Sequence, residues 1–320
     1  MDIYELLENV DNVLRMHGFR VQHIRYPDEP SRRSIDVIAV GDEGELLVKV
    51  VNDVDMLTGG DLRELNACGS VLGASALVVA EAEKGDEIDP MVAIEKGGAF
   101  VVGVEGLESA LRGSVYVIRR QSNYYMRVDG RRLRERRLEK GYSLGDVASM
   151  LSVSRRSIYL YEQEESLVSL PVALKLMELF GDDIFKPFDI MHGEEQGGRE
   201  GRTYAVLTQS ASRTQLARIL ASMGYSVVAT RRIPPDIVAS KEGRRKDRLI
   251  VVVERKREVA LERRLEEATR VAAHIEAEVV AMTKRREIAS SYDVEIVGSV
   301  NELKEYVDEK RRSSGTLQDA

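Results

Sequence analysis

The 320 residues predict a fold of α/β plus all-α class: two αβββαβ-type α/β domains flanking a helical module. Three observations carry this. A domain usually takes ~100–200 residues, so a chain of this length holds two or three. The two ends of the sequence repeat one order of helices and strands, and such self-similarity signals duplicated units. Between them, near the midpoint, lie short helical stretches separated by Ser- and Gly-bearing turns.

In the first flank a helix is expected over 2–17, then the strands GFRVQHI, SIDVIAV and ELLVKVV. A helix near 59–71, the strand SALVVAE, another helix, the strand FVVGV and a last short helix complete it. The second flank reads alike: helix 212–223, GYSVVAT, DIVAS, RLIVVVERK, helix 258–275, EAEVVAM, a short helix, DVEIVGS and helix 299–308. Gly18 and Gly224 each end the leading helix, where a glycine C-cap belongs. SVYVIRRQSNYYMRVDG alternates like two strands around Gln121-Ser122-Asn123, a hairpin leading out of the first domain. HGEEQGGREGR at 192–202 reads as a flexible linker, and the polar tail EKRRSSGTLQDA as frayed. The expected domains are therefore 1–117, 118–191 and 203–310, with the linker at 192–202 and the tail at 311–320.

Charge separates these regions. Residues 1–117 hold 10 basic and 22 acidic side chains, a balance of −12. Residues 118–156 hold 11 and 4, a balance of +7, although the whole chain is −7. A polyanion is therefore expected at the middle and repelled by the first flank. The longest apolar runs, such as LIVVV at 249–253, fall short of the ~18–20 residues that cross a bilayer, and the N-terminus is acidic, so no membrane partner and a cytoplasmic location are expected. Cys68 is the one cysteine, and His17, His23, His192 and His274 have no metal-ligand spacing; no disulfide, structural metal or cofactor is expected. The sequence holds no glycine-rich phosphate loop, which leaves a small-molecule effector without support.

Three consecutive strands followed by helix-separated ones imply a mixed sheet with helices on its faces. This order resembles the restriction-endonuclease-like PD-(D/E)xK fold. The resemblance implies an Asp ending the second strand and an acid-x-Lys triplet on the third, the acids holding Mg²⁺ and the Lys serving the attacking water. Pro235-Asp236 followed by Glu254-Arg255-Lys256 matches that pattern in the second copy, so Asp236, Glu254 and Lys256 are the candidates for a Mg²⁺-dependent nuclease. In the first copy Asp36 and Lys49 fit, but Leu47 holds the acid position. That copy is expected to be a dead relative used for packing or dimerisation, and a structural or DNA-scaffolding remnant is the favoured reading of the second. The basic loop KEGRRKDR at 241–248 is expected to be a solvated hairpin tip.

The middle is the informative part. GRRLRERRLEKG is expected to be a helix with Leu133 and Leu138 on its inner side and Gly141 as its stop. Ser143-Leu144-Gly145-Asp146 is a capping box opening a helix with Val147, Ala148 and Leu151 inward. Ser154 then caps RRSIYLYEQ, and two short helices joined by a tight turn make a helix-turn-helix unit. Residues 133–181, including Glu162 and Ser169-Leu170-Pro171 before the amphipathic Val172, Ala173, Leu176 and Leu179, resemble the lambda-repressor-like, Cro-type helix-turn-helix domain. The three-part layout as a whole resembles archaeal helix-turn-helix regulatory proteins.

The resemblance implies double-stranded DNA as partner, with helix 154–162 in the major groove. It places Ser154, Arg155, Arg156, Ser157 and Tyr159 on the DNA, and holds the helix down through Val153 and Ile158. The planar fork of arginine bonds O6 and N7 of guanine together, which suits Arg155 and Arg156 to base reading. Arg131, Arg132, Arg134, Arg136 and Arg137 are the candidates for phosphate contacts, with Arg132 and Arg136 foremost. The family often has a Gln early in the second helix against a phosphate; Leu144 and Gly145 stand there, so that anchor is missing or comes from an arginine. One such helix covers a half-site, so a homodimer is expected, with the acidic first domain as its contact surface.

Overall fold

The computed structural model describes residues 2–42, 44–190, 202–241, 247–255 and 259–315, with side chains to residue 310. The body of the expected linker, Lys256, the tip of the 241–248 loop and the last five residues lie outside the described residues.

The first part of the chain runs α1 (Ile3–Met16), β1 (Arg20–His23), β2 (Val37–Gly41), β3 (Gly44–Asp53), α2 (Gly59–Leu72), β4 (Ser75–Glu83), β5 (Asp86–Glu87), β6 (Val92–Lys96), β7 (Ala99–Val102) and α3 (Val104–Leu111). The middle follows with β8 (Val117–Arg120), β9 (Asn123–Val128), α4 (Gly130–Glu139), α5 (Leu144–Leu151), α6 (Arg155–Glu162), β10 (Val168–Ser169), α7 (Leu170–Phe180) and β11 (Phe185–Lys186). The last part holds β12 (Tyr204–Val206), α8 (Ala211–Ser222), β13 (Ser226–Ala229), β14 (Ile237–Ser240), β15 (Arg248–Val253), α9 (Leu261–Ile275), β16 (Glu278–Met282), α10 (Arg286–Ala289), β17 (Glu295–Val297) and α11 (Val300–Gly315).

The mixed α/β sheets at both ends and the helical region between them have the expected class and layout. One expected helix, between β4 and β7, is absent: that segment forms β5 and β6. Gly85, Gly97 and Gly98 all have positive φ, and Asp89 accepts from the Met91 N–H at 2.8 Å, so the stretch is broken into turns too close together for a helix. The short edge strand β12, parallel to β13, was not expected, and α11 continues to Gly315 through the first residues of the expected frayed tail.

The chain divides into two compact units, Met1–Val13, Val51–Leu57 and Leu77–Gln196 in one and Leu14–Val50, Thr58–Ala76 and Gly197–Ala320 in the other. In the first, β4 is parallel to β7, β7 antiparallel to β6, and β6 parallel to β8. β8 and β9 form the expected hairpin, turning at Gln121-Ser122, and β9 then takes both β10 and β11. The strands that bracket the helical module thus continue the sheet of residues 77–102.

In the second unit β1, β2 and β3 are successively antiparallel. Strands β12 to β17 lie in chain order, with β13, β14 and β15 antiparallel and β15, β16 and β17 parallel. The apolar core of this sheet gathers Leu216, Leu220, Val227, Val251, Val280 and Leu303. Helices also pack across the two copies. α2 packs on β13 and β14, and α9, besides β15 and β16 of its own copy, packs on β1 and β2. Glu64 of α2 accepts from the Arg231 and Arg232 N–H groups at 3.1 and 3.0 Å, and Glu267 of α9 accepts from the Arg25 N–H at 2.7 Å. Arg248 donates across the copies to Glu45 and to the Leu72 carbonyl, at 2.9 and 2.6 Å, and within its own copy to the Ile275 carbonyl at 2.9 Å. Glu64 and Glu267, Glu45 and Arg248, Leu72 and Ile275 are each 203 positions apart, so Arg248 meets its own equivalent, Glu45, and Glu64 and Glu267 make equivalent contacts in the two copies.

Candidate nucleic-acid interface

The module that holds the proposed reading helix is fixed by caps and a small core. Ser143 and Asp146 close a capping box on α5, the Asp146 N–H donating to Ser143 Oγ at 3.2 Å and the Ser143 N–H to Asp146 Oδ2 at 2.8 Å. α5 ends at Ser152, whose φ of 57° turns the chain sharply toward α6. Ser154 Oγ then accepts from the Ser157 N–H at 3.0 Å, which starts α6. Val147, Ala148, Leu151, Ile158 and Tyr161 are buried with Leu133, Ala173 and Leu176. Ile158 is fully buried and Val153 packs at the edge of the same cluster, as the inner face of α6 requires.

Leu138 departs from the expectation. It is 56% exposed, and Arg137 is the buried neighbour of Leu133. Residues four apart share a helix face, whereas Leu138, five from Leu133, turns away. Arg137 grips Glu162 bidentately, Nε to Oε1 at 2.6 Å and Nη2 to Oε2 at 3.0 Å, and donates to the Tyr142 carbonyl at 2.9 Å. This pair ties α4 to the end of α6, with side-chain exposures of 9% and 4%. At the other end of α4 the helices touch backbone to backbone: a Cβ on Gly130 would stand 2.3 Å from the Glu162 carbonyl oxygen.

The opposite face of α6 is open. Arg155, Arg156 and Tyr159 are exposed, and among the described residues neither arginine has a carboxylate within 4.0 Å. Ser154 and Ser157 hold each other, their hydroxyls 2.9 Å apart. The arginines of α4 are differently placed. Arg136 pairs with Asp183 at 2.7 Å, Arg132 donates to the Asp183 carbonyl at 2.9 Å and lies 3.5 Å from Asp129, and Arg131 pairs with Glu135 at 3.0 Å. Arg136 holds the Asp183 carboxyl below the usual range, and Arg132 adds to this. Arg132 and Arg136 thus face carboxylates and carbonyls of their own chain, while Arg134 has no ion-pair partner among the described residues. Asp183 and the buried role of Arg137 were missed from sequence; the four-residue spacing of Leu133 and Arg137 was the available signal.

The carboxylates of the endonuclease-like copies are spoken for as well. Asp36 is fully buried, with Oδ2 2.9 Å from both Lys49 Nζ and the Val50 N–H; burial pushes its carboxyl up against the lowering effect of Lys49. Leu47, also buried, occupies the acid position. Asp236 is equally buried and accepts from the Val253 N–H at 2.7 Å, just as Asp36 accepts from Val50. That common frame aligns Lys49 with Val252 and Leu47 with Ile250. Glu254 lies four residues beyond the acid position and turns elsewhere, accepting from Thr283 Oγ1 at 2.7 Å, the Lys284 N–H at 3.0 Å and Arg285 Nε at 2.8 Å. The Thr283 hydroxyl is the leading cause that lowers its pKa. Asp236 is instead held by Arg264, itself fully buried, and by Arg213 and Arg255 at 3.1 Å each. Three guanidinium groups around one carboxylate do not suit a divalent cation, and neither copy brings two acids together on that frame.

The chain therefore combines a helix-turn-helix module with endonuclease-like α/β architecture. Residues 4–116 match the PD-(D/E)XK superfamily domain and residues 133–182 the helix-turn-helix family. Three archaeal relatives each bear the name "Putative HTH-type transcriptional regulatory protein". The one from Aeropyrum pernix is 28% identical over 310 residues, covering 93% of this chain and 92% of the relative. The one from Pyrococcus furiosus is 29% identical over 98% of this chain and 100% of its own length, and that from Sulfurisphaera tokodaii 29% identical over 92% and 96%. No solved structure matches the chain.

Proposed function

We infer that the protein is a sequence-specific, double-stranded-DNA-binding transcriptional regulator that lays α6 in the major groove. The observation that carries this reading is the two-sidedness of α6. Ile158 and Tyr161 are buried in the module, while Arg155, Arg156 and Tyr159 stand exposed, neither arginine with a carboxylate within 4.0 Å among the described residues. Ser154 and Ser157 sit at the same end, where hydroxyls and first-turn amides suit phosphate oxygens. The names of the full-length relatives agree with this assignment. Arg132 and Arg136 are weaker candidates for phosphate contact than their sequence position suggested, because Asp183 already engages both.

Action as a homodimer in the cytoplasm completes the reading. A single recognition helix spans one half-site, and two spaced by about 34 Å meet successive turns of the groove. Among the described residues no helix is long and apolar enough to cross a membrane. Selection of bound duplexes from a random pool tests the function: enrichment of one motif supports it, and recovery of unselected sequence refutes it. The rival reading, a Mg²⁺-dependent nuclease using Asp236, Glu254 and Lys256, is disfavoured because Arg264 holds Asp236 and Glu254 faces Thr283 and Arg285. Plasmid cleavage with Mg²⁺ that is abolished by Asp236→Ala would reinstate it.

A further inference from the structure

Arg155 and Arg156 are adjacent, exposed and alike in chemistry, yet they are not seated alike. The Arg155 side chain folds back over the first turn of α5 and rests on Gly145: a Cβ there would stand 2.9 Å from Arg155 Nε, 3.0 Å from Nη2 and 3.1 Å from Cζ. The guanidinium plane thus occupies the space that any other residue at 145 would fill. It also lies close enough to Asp146 for its charge to help lower that carboxyl, after the Ser143 hydroxyl and N–H. Arg156, one helical step further round, is exposed and has no ion pair among the described residues. At the start of α5, where this guanidinium sits, the Leu144 and Gly145 amides have no intrahelical acceptor, whereas Ser143 takes those of Asp146 and Val147 through its hydroxyl and carbonyl. A cation held flat against a helix start is placed for an anion near the backbone and has little reach along the groove floor. A guanidinium also gives two parallel bonds to a phosphate.

We propose that the two arginines divide the work: Arg155, seated on Gly145, clamps a backbone phosphate of the duplex, and Arg156 alone of the pair reads base edges. This rests on the DNA-binding reading above and refines it. It makes Gly145 a determinant of affinity although Gly145 itself need not touch DNA. Replacing it with Ala would leave the fold intact, since the crowded atoms are the far end of a flexible side chain and Ala is the better helix former. It would, however, unseat Arg155.

The experiment compares the full-length protein with its Arg155→Ala, Gly145→Ala and Arg156→Ala variants. Each is titrated by fluorescence anisotropy, over a range of salt, against the duplex that the wild type selects and a scrambled duplex of equal length. Arg155→Ala is expected to weaken both duplexes by a similar factor, about tenfold for a lost charged contact, and to reduce the salt slope by about one phosphate. Gly145→Ala should reproduce that uniform loss with an unchanged or raised melting temperature, and should cost nothing more when combined with Arg155→Ala. Arg156→Ala should lower the preference for the selected duplex by about 5- to 150-fold while keeping most of the salt dependence. Loss of preference in Arg155→Ala, like that in Arg156→Ala, overturns the division. So does unchanged affinity in Arg155→Ala, which would make the guanidinium a counter-ion of Asp146 only. A wild type that binds neither duplex fails differently, sinking the DNA-binding reading itself.

Discussion

Arg137 shows how a residue drawn from a charged run becomes structural. Among the arginines of α4 it faces inward, where Glu162 takes both arms of its fork and the Tyr142 carbonyl a third N–H. Removing one partner of a buried pair strands the other's charge at a cost of about 3–5 kcal/mol. Arg137→Ala should therefore lower the unfolding free energy by about 3 kcal/mol or more, read by chemical denaturation of the module's transition. Leu138→Ala, at an exposed site, should change it by less than about 0.5 kcal/mol. The opposite ranking would mean that Leu138, as the apolar pattern suggested, is the true inner residue. Leu133, Ile158, Ala173 and Leu176 were legible as core because apolar residues recur at helical spacing, but a buried arginine looks like its solvated neighbours until its partner, 25 positions away, is known. The same holds for Asp236: its match to a catalytic motif was legible, whereas the three arginines that surround it come from α8, from α9 and from just beyond β15, none predictable from spacing.

At the level of elements, close helix contact and helix packing across the copies set the most specific requirements. α4 begins against the last turn of α6, so Gly130→Ala should force the two backbones apart and destabilise the module by about 3 kcal/mol, while an Ala at the open Gly141 position meets no neighbouring atom and is strained only by its positive φ. The duplicated order of elements was readable because Gly18 and Gly224, the three strands and the following helix recur in step. The segment forming β5 and β6 was not, since closely spaced glycines there outweigh a weak helical pattern. Reciprocal packing of α2 and α9 was also hidden, because it depends on contacts between residues some 200 positions apart. That packing makes a pH-dependent prediction. Burial is the main cause raising the carboxyls of Glu64 and Glu267, opposed by the backbone N–H groups they accept from. A carboxyl raised in the folded state adds stability fully below its unfolded pKa of about 4.3, and that contribution is lost as pH rises through the folded value. Glu64→Gln with Glu267→Gln keeps an acceptor oxygen and removes the ionisation. The double variant should therefore lose less stability than the wild type between pH 4.5 and 7, measured as the urea midpoint at each pH. A steeper loss would show that the ionised carboxylates stabilise that packing.

For the molecule as a whole, charge and symmetry point the same way. The first flank, at −12, is a poor neighbour for DNA, and the run at 118–156, at +7, is a good one. Part of α2 and of α9 already packs on the other copy's sheet, so a homodimer would need a surface other than these faces. Sedimentation should show a dimer that persists when salt is raised enough to release DNA; a monomer at all concentrations would remove the two-half-site arrangement. The central claim, that α6 reads sequence, is tested most directly by selecting duplexes from a random pool with the wild type and with Arg156→Ala, then sequencing what is bound. The wild type is expected to enrich an inverted repeat with half-sites about 10–10.5 base pairs apart, and Arg156→Ala to lose discrimination at one position in each half-site. Bound pools no different from the input, or identical motifs from both proteins, would contradict it.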